Sequence, residues 1–143
     1  MDAEQWTVIS PNECESLLRQ SHLGRIAIVD GDLPLILPVN FVVDDEAEVV
    51  FRTNPGSKLD AALHHAPVAF EIDGIDELSQ TGWSVLVRGH AHEVTDPREV
   101  SRLEHLALVP WAPGGRHHYV RVQPLETTGR RITVPSQPSD FWG

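Results

Sequence analysis

The feature that most constrains this chain is a two-residue period of hydrophobicity that runs between positions 24 and 53. In the segment "LPLILPVNFVV", every second side chain is apolar, and the apolar ones fall on one face: Leu35, Leu37, Val39, Phe41 and Val43. Such alternation is typical of a β-strand with one buried face. The segments "RIAIV" and "VVFRT" flank it as further strands, joined by the short connections "DGD" and "DDEAE". The sequence therefore predicts a meander of strands.

The rest of the chain adds strands and short helices. "VAFEI", "WSVLVRGHAHEV", "HYVRVQP" and "GRRITV" read as strands, and "DGIDELSQTG" reads as a loop. Three short helices interrupt them: "SPNECESLLRQ", positions 57–65, and "DPREVSRLEHLAL". Because helices interrupt the strands instead of linking them regularly, the pattern favours a mainly β, antiparallel barrel of about six strands. We expect one domain over residues 1–143, with a core at about 10–133 and a Pro- and Ser-rich tail at 134–143.

The helix starts and two prolines give local predictions. Ser10 is expected to cap the first helix with Glu13 as its capping-box partner, and Asp96 is expected to cap the last. Pro34 and Pro38 share the opposite face of the second strand. Since proline has no N–H to give to a ladder, this strand is expected to lie at an edge or to be bulged.

Charge and cysteine content exclude several classes of function. The formal net charge is −10, with 21 acidic against 11 basic residues, which argues against nucleic-acid binding and against docking on anionic membranes. The single cysteine, Cys14, excludes an intramolecular disulfide framework and a cysteine-based zinc cluster. The start "MDAEQW" has no signal-peptide pattern, and no apolar run reaches the roughly 18 residues of a membrane span. We therefore expect a soluble, cytoplasmic protein.

The stretch "FRTNPGSKLDAALHH" combines a turn with several anion-binding groups. A predicted strand ends at Arg52 and Thr53, a Pro-Gly turn follows, and a helix is expected to begin at Ser57 and Lys58. Unpaired N–H groups at a helix start, two hydroxyls and two cations could converge on a phosphate. Ser57 could equally be a simple helix cap, with Asp60 as the third helical residue. The residues alone leave both interpretations open, and neither a Walker motif nor G-x-G-x-x-G is present.

Histidines offer weaker signals. His90 and His92 share one strand face and could bind a metal if Glu93 or a distant histidine joined them, although a polar outer face is the commoner role. The pair at 117–118 could in principle supply an axial haem ligand. No metal site is predicted from these patterns.

The residues identify neither a nucleophile nor a general base. Ser84 lies inside a predicted strand, not on an exposed elbow, and Cys14 has no obvious base. Trp83 and Trp111 could cover a ligand or simply pack in the core or at an interface. Any chemistry is therefore expected to depend on a cofactor.

Four motifs in order resemble one known family. "GRIAIVDGDLPLILPVNFVVDDEAEVVFRTNPGSKLDAAL", followed by "VAFEIDGID" and "GWSVLVRGHAHEVTD", with "PW" further on, is similar to the pyridoxamine 5'-phosphate oxidase-like family of flavin-binding split barrels, in its small actinobacterial-type branch. The resemblance covers roughly residues 10–133. It implies a six-stranded split barrel that forms a homodimer and binds FMN in clefts between the subunits.

The resemblance also implies which residues contact the cofactor. The "LPVNF" strand would run along the flavin ring using its backbone, and "RTNPGSK" would hold the phosphate. "GWSV" would reach the cofactor next, and the "PW" tryptophan would cover the site. The implied cofactor contacts are Pro38, Val39, Asn40, Phe41, Arg52, Thr53, Ser57, Lys58, Trp83, Ser84 and Trp111.

One departure from the family affects the substrate. The end "TTGRRITVPSQPSDFWG" lacks the Arg- and His-bearing signature that holds pyridoxamine phosphate in the vitamin oxidases. The resemblance therefore implies an FMN-binding oxidoreductase that passes electrons or hydride to another small molecule. The alternatives are a deazaflavin-dependent reductase and a non-catalytic flavin- or haem-binding protein.

Overall fold

The structure is a computed structural model that describes residues 6–57, 59–60, 63–64, 66–105 and 118–133. Within these ranges it has two helices and seven strands. The helices are α1 (Pro11–Gln20) and α2 (Pro97–Glu104). The strands are β1 (Trp6–Val8), β2 (Leu23–Asp30), β3 (Leu33–Val43), β4 (Val49–Thr53), β5 (Pro67–Asp76), β6 (Thr81–Glu93) and β7 (His118–Thr133).

Six of these strands close a barrel. The sheet order is β1-β7-β4-β3-β2-β5-β6, and β6 pairs back onto β7, so β2 to β7 form a ring with β1 added outside it. Every pairing is antiparallel. The predicted mainly β, six-stranded antiparallel split barrel is confirmed.

The barrel interior is filled by alternate side chains of each strand, as the two-residue period predicts. Val39 and Phe41 of β3 are buried there, and Leu35, Leu37 and Val43 pack against the same cluster. Phe41 and Phe70 meet edge to face with their ring centroids 4.8 Å apart. On β6 the interior set is Trp83, Val85, Val87 and Ala91, also as predicted.

Both described helices begin at their predicted caps. The Ser10 side chain accepts from the Glu13 amide at 3.2 Å, and Asp96 accepts from the Arg98 amide at 2.9 Å. The Glu13 carboxylate was expected to complete a capping box, but it accepts from Arg131 at 2.8 Å. A charge-assisted bond to a guanidinium is stronger than one to a neutral amide, so the long-range partner competes well for this side chain.

Two strand boundaries differ from the sequence-based expectation. "DGIDELSQTG" is not a long loop, because β5 continues to Asp76 and β6 begins at Thr81, leaving a four-residue turn. The last two predicted strands are one strand, β7. β1 was not predicted. It exists because Trp6, Thr7 and Val8 pair with β7, where the Arg130 guanidinium lies 5.0 Å from the centroid of the Trp6 ring.

Some expectations lie outside the described residues: Lys58, Trp111, Leu106 at the end of the last predicted helix, and the tail at 134–143. No helix in the described ranges has the length and apolar character needed to span a membrane.

Candidate functional site

The barrel is split between β3 and β4. These strands pair only through Phe41–Val43 and Val49–Phe51. Before Phe41, β3 pairs along one side only, with β2. We call the opening where β3 and β4 separate the β3–β4 cleft; it is bordered by residues 36–40 of β3 and by Arg52 and Thr53 of β4.

The backbone of β3 offers polar groups to this cleft. The Phe41 amide donates to the His22 carbonyl at 3.0 Å, so it points towards β2. Because backbone groups alternate sides along a strand, those of Ile36, Pro38 and Asn40 point the other way, into the cleft. Pro34 and Pro38 therefore occupy positions where no partner strand needs an N–H. The expectation that this strand forms an edge near its prolines is confirmed.

The four residues predicted to contact a flavin ring fall into two pairs. The side chains of Val39 and Phe41 are buried in the barrel core, with relative exposures of 6% and 1%. Pro38 is exposed and Asn40 is half-buried on the outer face. The groups that β3 presents to a ligand are therefore the Pro38 carbonyl, the Asn40 backbone and the outer side chains. This agrees with contact through backbone groups.

A tight turn after β4 is held together by Asp60. The carboxylate of Asp60 accepts from the Thr53 hydroxyl at 2.8 Å and from the Gly56 amide at 3.2 Å. The Asp60 amide in turn donates to Ser57 Oγ at 3.1 Å, as expected for a cap. Gly56 has a φ of +80°, a conformation that glycine adopts without steric cost. Thr53 has thus used its hydroxyl proton within the turn, whereas the Ser57 hydroxyl donates to no acceptor among the described residues.

His118 joins this turn from β7. It pairs with Thr53 across the β4–β7 ladder, and its Nδ1 lies 2.8 Å from Asp60 Oδ1 and 3.5 Å from Glu93 Oε1. Partial desolvation pushes the pKa of Asp60 upward, but hydrogen bonds from Thr53, His118 and Gly56 outweigh it and hold that pKa below its usual value. Asp60 is therefore ionised at neutral pH and favours a proton on Nδ1 of His118.

The structure does not bring all the predicted phosphate donors to one side of β4. Thr53 lies on the face of Phe51, which points into the barrel, whereas Arg52 lies on the opposite face with Val50. Arg52 pairs with Tyr119 of β7 and is half-buried. Lys58 lies outside the described residues, so of the predicted set only Thr53 and Ser57 are placed together.

Trp83 and Ser84 occupy another part of the barrel. They line a pocket with Gly74 and Arg130, at the end of β6. The Trp83 ring lies so close to Gly74 that a β-carbon there would be 2.7 Å from it. In the closed sheet, β2 and β5 lie between β3 and β6, and β7 lies between β4 and β6. The described lining of this pocket accordingly contains no residue of β3 or β4.

A second polar cluster surrounds Arg121 beneath α2. Its guanidinium contacts Asp44 at 2.8 Å, Glu99 at 3.3 Å and Glu48 at 3.6 Å. The half-buried His92 Nε2 lies 3.1 Å from Gln123 Oε1. In the described part of the chain, no three His, Cys, Asp or Glu side chains are arranged to hold a metal ion.

Comparison with known proteins places these features in a family context. The sequence profile of a family described as pyridoxamine 5'-phosphate oxidase matches residues 10–131. The uncharacterized Mycobacterium tuberculosis protein Rv0080 is 35% identical over 140 residues, covering 94% of this chain and 91% of that protein.

Two solved structures are also similar. An FAD binding protein from Mycobacterium smegmatis is 40% identical with a TM-score of 0.78, covering 88% of this chain and 99% of that one. A conserved protein of unknown function from Corynebacterium diphtheriae is 33% identical with a TM-score of 0.77, covering 90% of this chain and 99% of that one.

Proposed function

Since the chain belongs to the pyridoxamine 5'-phosphate oxidase family, we propose that it binds a flavin nucleotide in the β3–β4 cleft and passes electrons or hydride to a small molecule. The observation that carries this proposal is the cleft itself. The segment expected to lie along a flavin ring and the turn expected to hold a phosphate border the same opening, because β3 and β4 separate beyond Phe41 and Phe51.

The groups at the cleft suit such a ligand. The Asn40 backbone can both donate to and accept from a flavin ring, whose polar edge carries both kinds of group. Ser57 Oγ accepts from the Asp60 amide, and its hydroxyl proton has no acceptor among the described residues. A bound flavin would supply the redox chemistry, while this chain would anchor, orient and cover it.

FMN is the cofactor that the sequence resemblance implies, and FAD is a second candidate. The 40% identical Mycobacterium smegmatis structure is described as an FAD binding protein, which favours FAD as a ligand to test here. FMN and FAD share the ribityl phosphate, so the cleft would serve either. Deazaflavin and haem remain the other ligands to be tested.

The first prediction concerns cofactor binding. Purified protein titrated with FMN, FAD, riboflavin and a deazaflavin should quench flavin fluorescence with FMN or FAD. Lys58→Ala should weaken FMN by about tenfold or more, because the charge-assisted phosphate contact implied by the family resemblance is lost, and should leave riboflavin affinity nearly unchanged. Arg88→Ala, which removes an exposed cation elsewhere on the barrel, is the matched control.

Spectra separate the remaining outcomes. A colourless protein that neither quenches flavin fluorescence nor gains thermal stability from it would refute the proposal. A Soret band would indicate haem instead. A tight flavin complex that NAD(P)H and reduced deazaflavin both fail to reduce would indicate a carrier without turnover.

We further propose a homodimer, with the cofactor between subunits. Its support is that β6, which carries Trp83 and Ser84, pairs with β5 and β7 among the described strands and not with either strand of the cleft. We therefore expect a second copy to supply these two residues. The outer face of β2 and β3 also exposes apolar side chains: Leu23, Val29 and Ile36 are 59%, 60% and 64% exposed, with Arg25 between Leu23 and Val29. Exposed apolar side chains grouped on one face are typical of interfaces.

The second prediction tests that surface. Ile36→Glu should convert a dimer into a monomer in size-exclusion chromatography with light scattering, because it places a charge in the apolar face. Leu78→Glu changes a fully exposed leucine in the β5–β6 turn and should leave the mass unchanged. A wild-type mass of one chain would contradict the dimer directly.

A further inference from the structure

We infer that His118, oriented by Asp60, is a direct ligand of the phosphate group of the bound nucleotide. This inference rests on the proposed flavin site, which it extends by one binding residue and one positioning residue. Neither residue was among the contacts that the sequence resemblance implied.

The geometry of the imidazole leads to this role. Nδ1 is occupied by Asp60 Oδ1 at 2.8 Å, so it carries the ring's proton when His118 is neutral. The N–H direction of Nε2 diverges from that of Nδ1, away from the Asp60 carboxylate. Within the described part of the chain, Nε2 has no hydrogen-bonding partner, and the side chain is 35% exposed. A ligand in solvent can therefore reach it.

Asp60 links His118 to the predicted phosphate turn. The same residue donates through its amide to Ser57 Oγ and accepts through its carboxylate from His118. The hydroxyl of Ser57 and Nε2 of His118, neither of which donates to a partner among the described residues, thus flank one residue. His118 takes the place that the sequence suggested for Thr53, whose hydroxyl proton is already donated to Asp60.

The carboxylates around His118 explain why an anion that binds here would need the imidazole of this residue. Asp60 from the turn after β4 and Glu93 from β6 both face His118, and Thr53 adds only a neutral hydroxyl. Two carboxylates without an intervening cation would repel a phosphate dianion. A protonated His118 offsets one of them and donates a charge-assisted bond from Nε2. Loss of this ring should therefore weaken phosphate binding.

The third prediction follows. His118→Gln should weaken FMN binding by about tenfold, because the phosphate loses its bond from Nε2. Riboflavin, which has no phosphate, should bind wild type and variant within about twofold. Dissociation constants come from fluorescence quenching. His105→Gln, an exposed histidine at the end of α2, is the control and should match wild type.

Asp60→Asn separates positioning from direct contact. It keeps an oxygen acceptor for Nδ1 but removes the negative charge beside the ring, so FMN affinity should fall by less than in His118→Gln, and riboflavin affinity should stay within about twofold of wild type. Equal losses for FMN and riboflavin, or unchanged FMN affinity of His118→Gln, would overturn the inference while the flavin proposal stood. Wild-type protein that binds neither flavin would refute both.

Discussion

Gly89→Ala is expected to prevent normal closure of the barrel, with a loss of more than about 3 kcal/mol of unfolding free energy or no folded protein. A β-carbon at Gly89 would overlap the Gln123 carbonyl oxygen and would lie 2.9 Å from the carbonyl carbon of the same residue. Both atoms belong to the backbone of the neighbouring strand, so no side-chain rotation can relieve the clash. One of the two strands would have to move.

The position of Gly89 explains why the strands approach so closely there. Arg88 pairs with Glu126 but Gly89 pairs with Pro124, so the β6–β7 register shifts by one residue at this point. Such a bulge bends and twists the strands, and here it lies in the ladder that closes the ring. The glycine is therefore required by the closing ladder, not by a turn.

Urea denaturation followed by circular dichroism measures the effect. Arg88→Ala shortens an exposed side chain to a methyl group at the adjacent position. It should cost less than about 0.5 kcal/mol of unfolding free energy. A Gly89→Ala variant as stable as Arg88→Ala would show that the bulge can relax, and the account of closure would be wrong.

The parts of the fold that depend on local pattern were predictable from the sequence. Alternation assigned Val39 and Phe41 to the core face of β3, and a Ser-Pro pair located the start of α1. β1 and the continuous β7 were not predicted. Three residues such as 6–8 carry too little pattern to mark a strand, and a bulged strand has an interrupted period.

The candidate site also has parts that were predictable from the sequence and parts that were not. The bond between Ser57 and the Asp60 amide spans three residues and was expected from the cap pattern. The Asp60–His118 bond joins residues 58 apart in the sequence. The pairing of Thr53 with His118 brings Asp60 and His118 together, and no local sequence pattern predicts that pairing. Sequence reasoning also grouped Arg52 with Thr53, although adjacent strand residues point to opposite faces.

Arg121→Met is expected to destabilise the protein by about 2–4 kcal/mol at neutral pH. The Arg121 side chain is only 19% exposed and neutralises Asp44, whose side chain is 8% exposed, together with Glu48 and Glu99. Asp44 also accepts from the amides of Glu46 and Glu48, which shapes the β3–β4 turn. Methionine keeps most of the stem volume but leaves three carboxylates without their cation.

An exposed ion pair provides the comparison for this buried one. Arg88 and Glu126 bridge β6 and β7 at 3.0 Å with side-chain exposures of 65% and 53%. Surface pairs of this kind contribute less than about 1 kcal/mol, so Arg88→Met should change the unfolding free energy little. Equal effects of the two substitutions would show that burial does not amplify the Arg121 pairs.

The pH dependence of the Arg121→Met effect distinguishes charge from packing. Desolvation, then the Asp44 charge, raises the pKa of Glu48 despite the opposing effect of Arg121. When folding raises the pKa of a carboxyl group, the protonated form of that group stabilises the folded state. This contribution is complete below the unfolded pKa and is lost as the pH rises through the folded pKa. Removing Arg121 raises that pKa further, so the stability gap between variant and wild type should widen from about pH 5 to about pH 7. If the gap measured by denaturation is the same at both pH values, the loss comes from packing of the arginine stem, because a charge effect must diminish as the surrounding carboxylates become protonated.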